Sequence, residues 1–274
     1  MLRFAVVGNP VSHSKSPMIH TLFASQTGKQ LDYTREEVAL DGFTEFVQQF
    51  FGSGGTGLNV TVPFKEQAFE LAQVHSERAK LARAVNTLYQ DDQQRLCGDN
   101  TDGIGLVRDL CDNHGIAIAG KRVLIIGAGG AVRGALGNLA DQSPDSITLV
   151  NRTLSKAATL QQEFAQLTDI KALSFKDQLA GPFDLVINGT STGLQGEAPP
   201  LSTDAVGPQS CCYDMMYGSQ DTPFMSWARQ QGAGQVLDGL GMLVEQAAES
   251  FAIWLQVVPE TASVIAQVRS NLGQ

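Results

Sequence analysis

The sequence of 274 residues predicts an α/β protein with two domains. Apolar strand-like runs alternate with amphipathic helical segments over residues 1–100. An apolar strand at residues 122–127 then leads into a glycine-rich turn, and the strand–helix alternation restarts after that turn. We expect one domain to comprise residues 1–101 and 240–274 and the other to comprise residues 102–239, with a cleft between them.

The first domain is predicted from its alternating elements. Ser16 is a plausible N-cap for a helix over residues 16–27, because a serine hydroxyl accepts from backbone amides, and Pro17 suits the first helical position. Alternation in a strand places Asn59 and Thr61 on one face. The predicted strands are residues 4–8, 31–38 and 57–62, with a hairpin of 84–90 and 95–98, and the predicted helices are 16–27, 43–51, 66–74 and 77–82.

The second domain is predicted to contain a parallel sheet with crossover helices. Residues 123–126 are apolar throughout, as expected of a strand that is buried on both faces. Two closing helices, at residues 241–255 and 260–272, follow this domain in sequence but are assigned to the first. The other predicted helices are 102–114, 131–140, 155–166 and 223–231, and the other strands are 147–151, 171–173, 185–188, 211–214 and 234–237.

The composition limits the function classes. A net charge of −9 argues against a nucleic-acid partner, since a phosphate backbone is bound by clustered Lys and Arg. No apolar run approaches the ~20 residues that span a bilayer, and the N-terminal run is broken too early for a signal peptide, so we expect a cytoplasmic protein without a membrane partner. The four histidines and four cysteines lack the spacings of metal sites, so no metal is predicted.

The glycine-rich turn predicts a cofactor site. The run Gly127, Ala128, Gly129, Gly130 and Ala131 allows a tight reversal and lets a pyrophosphate approach the backbone at the start of the next helix. Val132 stands where the dinucleotide fingerprint has a third glycine, which predicts a looser packing of helix on strand. The turn favours a Rossmann-like domain, and the alternative is a glycine turn in an ordinary βα unit.

The next strand end indicates which dinucleotide is bound. NAD sites usually carry a carboxylate there for the ribose hydroxyls, whereas this chain has Asn151 and Arg152, with Lys156 one turn on. Because Arg and Lys attract a 2′-phosphate that a carboxylate would repel, NADP is predicted over NAD. The alternative for Arg152 is an ordinary solvated residue at a strand end.

Three polar stretches in the first domain lie at predicted strand ends or helix starts. They are residues 8–17, residues 59–65, and residues 84–88 together with 99–103. Ligands of open α/β sheets bind at the carboxyl ends of the strands. We therefore expect these stretches to surround a small-molecule ligand.

Taken together, these residues resemble the shikimate dehydrogenase family. The matching motifs run in order from residue 8 to residue 248: GNPVSHSKSP (8–17), LNVTVPFK (58–65), AVNTL (84–88), GDNTDG (98–103), GAGGA (127–131), NRT (151–153), NGTSTG (188–193), YDMMY (213–217) and GxxMLVxQAA (239–248). The resemblance implies an N-terminal α/β substrate domain and a C-terminal Rossmann-like NADP-binding domain. It also implies reversible reduction of 3-dehydroshikimate to shikimate by NADPH, a step toward chorismate and aromatic amino acids, by a monomer or homodimer.

The resemblance also implies roles for individual residues. Ser14 and Ser16 would bind the substrate carboxylate, and Met215 and Gly239 would lie near the nicotinamide. The residues implied around the substrate are Ser14, Ser16, Asn59, Thr61, Asn86, Tyr217 and Gln246. Those implied around the cofactor are Gly127, Ala128, Gly129, Gly130, Ala131, Asn151, Arg152, Thr153, Lys156, Thr190, Met215 and Gly239.

Lys65 and Asp102 are the expected catalytic pair. Hydride addition to a carbonyl carbon leaves negative charge on the oxygen, which needs a proton or a donor, and Lys65 can supply both. Asp102 can hold the ammonium and accept from a substrate hydroxyl. From the residues alone, Lys65 could equally be a surface lysine at a helix start, and Asp102 a carboxylate favoured by the helix dipole.

Two other functions stay open at this point. One is a shikimate/quinate dehydrogenase that uses NAD, which Arg152 disfavours. The other is a catalytically silent binding protein on the same fold, which the presence of both Lys65 and Asp102 disfavours.

Overall fold

The computed structural model describes residues 1–273, apart from the side chains of Leu194 and Gln195, and the chain divides into two compact units. Unit 1 comprises Met1–Gly105 and Leu243–Leu272, and unit 2 comprises Leu106–Met242. The divisions fall within two helices, Asp102–Arg108 and Leu240–Leu255, a few residues beyond the boundaries expected from the sequence.

The described chain contains twelve strands and ten α-helices. The strands are β1 (Leu2–Gly8), β2 (Leu31–Glu37), β3 (Gly57–Val60), β4 (Val74–His75), β5 (Thr87–Gln90), β6 (Leu96–Asp99), β7 (Arg122–Ile126), β8 (Ser146–Val150), β9 (Ile170–Leu173), β10 (Leu185–Asn188), β11 (Cys211–Asp214) and β12 (Gln235–Asp238). The helices are α1 (Ser16–Thr27), α2 (Phe43–Gly52), α3 (Lys65–Leu71), α4 (Glu77–Ala82), α5 (Asp102–Arg108), α6 (Gly130–Asp141), α7 (Leu154–Glu163), α8 (Pro223–Gln230), α9 (Leu240–Leu255) and α10 (Ala262–Leu272).

Unit 1 is built on a six-stranded sheet in the order β2-β1-β3-β5-β6-β4. Strands β2, β1 and β3 are parallel, whereas β5 is antiparallel to both β3 and β6. Because β5 runs in the opposite direction, it begins at the edge of the sheet where β3 and β6 end. Asn59, Thr87 and Asp99 therefore pair across three neighbouring strands at that edge.

The two faces of this sheet are covered by different helices. On one face, Phe43 of α2 stacks on Phe64 with ring centroids 4.8 Å apart, within a core that includes alternate residues of β1 and β3. On the other face, Trp254 of α9 packs against Phe4, and a Cβ on Gly57 would lie 2.5 Å from the Trp254 ring. Glycine at residue 57 thus lets α9 approach the sheet closely.

Unit 2 is built on a six-stranded, wholly parallel sheet in the order β12-β11-β10-β7-β8-β9. This is the doubly wound order of a Rossmann fold, in which the strand order reverses between β7 and β10. Side chains of β7 alternate between two buried cores, with Val123 and Ile125 in one and Leu124 and Ile126 in the other. The α/β fold predicted from the sequence is confirmed, including the Rossmann-like second half.

Two local predictions in unit 1 were wrong. Ser16 is not the N-cap of α1, because Lys15 already has helical dihedrals and its carbonyl accepts from the amide of Ile19. The strand predicted over residues 57–62 ends at Val60, where a turn closed by the Phe64 amide and the Thr61 carbonyl begins. Thr61 therefore follows the strand rather than sharing its alternation.

Three helix predictions were too long, and the one over residues 155–166 ends at Glu163. The helix predicted over residues 66–74 ends at Leu71, since Val74–His75 pairs with β6 as the edge strand β4. The helix predicted over residues 102–114 is α-helical only to Arg108 and continues as a π-helical turn, Asp109–Asn113. In that turn the buried carboxylate of Asp109 accepts from the Tyr213 hydroxyl at 2.6 Å.

Candidate active site

The central ion pair of unit 1 joins Lys65, the first residue of α3, to Asp102, the first residue of α5. Lys65 Nζ lies 2.6 Å from Asp102 Oδ2, and the two side chains are 28% and 11% exposed. An ammonium held at the surface by a largely buried carboxylate can give a proton to a ligand while keeping its position. The two residues that the sequence singled out are thus in direct contact.

Side-chain bonds of Asp99 and Asn100 fix the position of Asp102. Asp99 is held by Arg78, whose Nε and Nη2 donate to its two oxygens at 3.1 and 2.7 Å. The Asn100 amide nitrogen donates to the Ala84 carbonyl, and its Oδ1 accepts from the backbone amide of Asp102. Hence the link between β6 and α5 is held at consecutive residues by side-chain bonds.

Asn86 connects Asp102 to α9. Its Nδ2 donates to Asp102 Oδ1 at 2.9 Å and lies 3.3 Å from Gln246 Oε1, while its Oδ1 accepts from the backbone amide of Thr101. Because that backbone amide can only donate, the orientation of the Asn86 amide is determined. Asn86 and Gln246, both expected near the substrate, therefore lie beside the Lys65–Asp102 pair.

Asn59 is only 6% exposed and is bonded to protein groups on both sides of its amide. Its Oδ1 accepts from the Tyr33 hydroxyl at 2.6 Å, and its Nδ2 donates to the Asn86 carbonyl and to Ser250 Oγ at 3.2 and 3.1 Å. Asn59 thus ties β2, β3 and α9 together at the edge of the sheet that carries the site.

Ser14 and Ser16 lie together at the start of α1. The Ser14 hydroxyl donates to Ser16 Oγ at 3.1 Å and accepts from the Ser16 backbone amide, and Arg35 Nε donates to the Ser14 carbonyl at 2.8 Å. The hydroxyls of Ser14 and Ser16 and the nearby Arg35 guanidinium make this segment suited to an anionic group.

Thr61 packs against the end of β1, where a Cβ on Gly8 would lie 2.4 Å from its methyl group.

His20 and Tyr33 form a buried aromatic pair that contacts Asn59 through the Tyr33 hydroxyl. His20 is stacked on Tyr33 with ring centroids 4.4 Å apart, and neither of its ring nitrogens has a hydrogen-bond partner among the described residues. Burial lowers the pKa of His20 to about 3, so its ring is neutral at pH 7. Burial also raises the pKa of the Tyr33 hydroxyl well above its usual value, which keeps it a donor to Asn59.

Unit 2 contains a cavity of about 470 Å³ at the reversal of its strand order. Ligands of doubly wound sheets bind at this point. Eight of the twelve expected cofactor residues line the cavity, namely Gly127, Ala128, Gly129, Asn151, Arg152, Thr153, Lys156 and Thr190. The sequence did not single out the apolar wall formed by Phe175, Pro199 and Pro200. Ser191 and Thr192, which also line the cavity, lie in the motif NGTSTG (188–193), but no role was expected for either of them.

The glycine turn has the form that a dinucleotide phosphate requires. Gly127 has a φ of +109°, and a Cβ there would lie 3.2 Å from the Gly189 carbonyl oxygen, so both conformation and space favour glycine. A Cβ on Gly129 or Gly130 would meet no protein atom within 4 Å, so internal packing does not call for glycine at either residue. Glycine at these two residues instead leaves space for a phosphate at the start of the twelve-residue helix α6.

Val132 is fully buried beside this turn, contrary to the looser packing expected there. A Cβ on Gly189 would lie 2.4 Å from Val132 Cγ2. Gly189, which directly follows β10, therefore makes room for the valine, and the helix packs closely on the sheet.

The charges at the far side of the cavity favour a phosphorylated ribose. The Arg152 and Lys156 side chains are exposed, and within the described chain neither forms an ion pair. One carboxylate, that of Glu197, also lines the cavity and is exposed. Two cations against one anion suit a 2′-phosphate better than a diol.

Four expected cofactor residues lie outside the cavity lining. Gly130 and Ala131 form the first turn of α6, directly after the lining residue Gly129. Met215 and Gly239 are neighbours, since a Cβ on Gly239 would lie 2.2 Å from the Met215 carbonyl oxygen. Tyr217, expected near the substrate, belongs to unit 2 and is half-buried, and burial raises the pKa of its hydroxyl.

Several supporting residues had no signal in the sequence. Tyr33 and Ser250 read as ordinary strand and helix residues, yet both bond to Asn59. Arg78 reads as a helix surface charge, yet it also holds Glu249 at 2.9 Å. Their partners are far away in sequence, so only the fold brings them together.

Every helix within residues 1–273 is too short or too polar to cross a membrane. No group of three or more His, Cys, Asp or Glu side chains in that part of the chain is arranged to hold a metal ion.

Three family models match the chain in succession. Residues 6–88 match the shikimate dehydrogenase substrate binding domain, residues 109–195 match shikimate / quinate 5-dehydrogenase, and residues 239–269 match the shikimate 5′-dehydrogenase C-terminal domain. Unit 1 contains the first and third of these segments, apart from residues 239–242, and unit 2 contains the second.

Individual relatives agree with these models. A shikimate dehydrogenase (NADP(+)) of Alkalilimnicola ehrlichii is 57% identical over 97% of this chain and 98% of its own length. Among solved structures, an Ael1 enzyme from Pseudomonas putida is 45% identical with a TM-score of 0.93, covering 97% of this chain and 98% of its own. A shikimate 5-dehydrogenase from Thermus thermophilus, in complex with NADP(H) and shikimate, is 31% identical with a TM-score of 0.89, covering 99% of this chain and 100% of its own.

Proposed function

Because the chain belongs to the shikimate dehydrogenase family, we propose that it catalyses the reversible, NADPH-dependent reduction of 3-dehydroshikimate to shikimate. The observation that carries this proposal is the 2.6 Å contact between Lys65 and Asp102, within a polar cluster at the carboxyl end of the unit 1 sheet. The relatives' names supply the substrate and cofactor. The contact supplies a means of proton transfer.

The cavity of unit 2 fits NADP. The glycine turn and the start of α6 would hold the pyrophosphate, and Arg152 and Lys156 would hold the 2′-phosphate. When bound, NADPH supplies the hydride that reduces the ketone carbon.

Lys65 balances the charge that this reduction creates. As the carbonyl bond opens, its oxygen gains negative charge, and the Lys65 ammonium donates a proton to it. Asp102 keeps the ammonium in place through Oδ2 and is itself held by Asn86 at Oδ1. In the reverse direction the neutral amine of Lys65 takes the proton from the shikimate hydroxyl.

The hydroxyls of Ser14 and Ser16 bind the substrate carboxylate. Asn86, Thr61 and Gln246 orient the ring hydroxyls, and Asn59 acts on the ligand through the network that it anchors. Tyr217 would also bind the substrate, as the family pattern implies. These roles follow the family pattern, and the geometry within unit 1 supports them.

A steady-state assay of the purified chain tests the proposal. Reduction of NADP and of NAD is followed at 340 nm with shikimate and with quinate, and kcat/KM is compared for the four pairs. We expect the shikimate–NADP pair to have the highest kcat/KM. A higher value for quinate with NAD would favour the alternative dehydrogenase, and NADP binding without turnover of either acid would favour a silent binding protein.

A further inference from the structure

Unit 2 contains a buried carboxylate that the proposed reaction does not use. Asp214 ends β11 and is 0% exposed. In the part of the chain that the structure describes, it forms no ion pair with Lys or Arg. Its oxygens accept from Asn188 Nδ2 and the Met216 amide at 3.1 Å each, and from the Thr222 hydroxyl at 2.5 Å.

Asn188, the last residue of β10, connects this carboxylate to the cavity. Its Nδ2 donates to Asp214, and its Oδ1 accepts from both the backbone amide and the hydroxyl of Thr190, at 3.1 and 2.7 Å. Since the Thr190 amide can only donate and Asp214 Oδ1 can only accept from Asn188, the orientation of the Asn188 side chain is fixed at both ends. Because Asn188 is only 1% exposed, solvent cannot readily replace either partner.

Thr190 is the point at which this chain of bonds reaches the cavity. Its hydroxyl hydrogen points to Asn188, so its oxygen accepts from Thr192 at 2.9 Å and offers an acceptor to the cavity. Its methyl group lies against the glycine turn, since a Cβ on Gly127 would be 3.2 Å from Thr190 Cγ2. The position of Thr190 thus determines both an acceptor and one wall of the turn.

We propose that Asp214 is a positioning residue for the cofactor, which acts through Asn188 to hold Thr190 in place beside the glycine turn. This inference rests on the proposed use of NADP. Burial raises the pKa of the Asp214 carboxyl, and the hydrogen bonds from Thr222, Met216 and Asn188 oppose that shift.

The test compares the dissociation constant of NADPH, measured by fluorescence titration, with the melting temperature of the same samples. Asp214→Leu removes the partner of Asn188 and is expected to raise the dissociation constant about tenfold, the effect of one hydrogen bond to a charged group. Asp214→Asn keeps an acceptor for Asn188 and Met216 and can donate to Thr222 Oγ, so it should retain affinity close to the wild type. The affinity for shikimate alone should not change in either variant.

Thr222→Val is the matched control for lost stability. Thr222 bonds to Asp214 and caps α8 through the Met225 amide, but it is not in the path to the cavity. This variant should melt at a lower temperature and bind NADPH as the wild type does. If Asp214→Leu fails to fold, Asn188→Ala carries the same prediction, because it leaves Asp214 bonded to Met216 and Thr222.

A double variant closes the test. Thr190→Val should weaken NADPH binding by itself, and adding Asp214→Leu should weaken it little further, since both changes interrupt one path. Additive losses, an unchanged dissociation constant in Asp214→Leu and Asn188→Ala, or an equal loss in Thr222→Val would each overturn the inference. A wild-type chain that does not bind NADPH would overturn the proposed function as well.

Discussion

Replacing Lys65 by methionine tests the proposed proton transfer most directly. Methionine keeps the length of the lysine stem and removes the ammonium. Asp102 loses its partner at Oδ2 but retains its bond from Asn86 to Oδ1 at 2.9 Å, so the carboxylate stays anchored in the polar cluster. The change therefore separates the loss of a proton donor from the loss of the site.

The structure sets the size of the expected effects. A positioned general acid contributes about 10²–10⁴ in rate. Because the Lys65 side chain is 28% exposed, water can reach the developing oxyanion, and we expect kcat to fall by the lower part of that range, about 10²–10³. The lost ion pair, discounted for this exposure, lowers the free energy of unfolding by about 1 kcal/mol, or about 2–4 °C in melting temperature.

The assay is steady-state oxidation of shikimate by NADP, with kcat and KM determined separately. Lys80→Met is the matched control, because Lys80 forms a 2.6 Å pair with Glu77 on the exposed surface of the same unit. It should leave both constants unchanged. A Lys65→Met enzyme that keeps its kcat while its KM for shikimate rises would make Lys65 a binding residue and refute the proton-transfer role.

Three other changes have expected outcomes. Arg152→Asp should reduce kcat/KM with NADP by at least about tenfold relative to NAD, since it replaces the proposed hydrogen-bond donor to the 2′-phosphate by a repelling charge. An unchanged ratio of the two values would count against this role of Arg152. Gly127→Ala should weaken NADPH binding and lower the melting temperature, because its φ of +109° strains any side chain; unchanged values of both would contradict this. His20→Phe tests a pH effect. In the unfolded chain His20 takes up a proton near pH 6.5, whereas in the folded chain burial lowers its pKa to about 3 and the ring stays neutral. The stability that the neutral, buried His20 ring contributes is therefore complete above pH 6.5 and is lost as the pH falls from 6.5 toward 3. Chemical denaturation of both proteins should show wild-type unfolding free energy falling relative to His20→Phe by about 3 kcal/mol between pH 7 and pH 4, and parallel pH curves would refute the assignment.

The sequence predicted the parts of the site that depend on local pattern. Polar residues at strand ends indicated Asn59, Asn86 and Asp102, because the carboxyl ends of strands are where α/β proteins bind ligands. The apolar strand and glycine turn indicated the Rossmann-like unit for the same reason. Lys65 and Asp102 could be named separately, but their contact needed the antiparallel β5, which brings α3 and α5 to one edge of the sheet.

The unpredicted features depend on long-range packing. The helix predicted to reach residue 74 ends at Leu71 because Val74–His75 pairs with β6 as the edge strand β4. Local propensity carries no information on that long-range pairing. Tyr33 and Ser250 support Asn59 from 26 and 191 positions away. Ser16 is not the cap because Lys15 occupies the N-cap position, although capping preference favours serine over lysine there.

The contact between Val132 and Gly189 has a consequence for how fingerprints evolve and are searched. The dinucleotide motif has a glycine in the helix at the position of Val132. The close packing in this chain instead depends on the absence of a Cβ at Gly189, which faces Val132. Here the absent Cβ is that of Gly189, which directly follows the neighbouring strand β10 and comes 57 positions later, so the motif is complete in space but not in the local sequence. A pattern that scores Val132 and Gly189 jointly would find such chains, and transplanting this glycine turn into another scaffold would succeed only if the partner glycine moved with it.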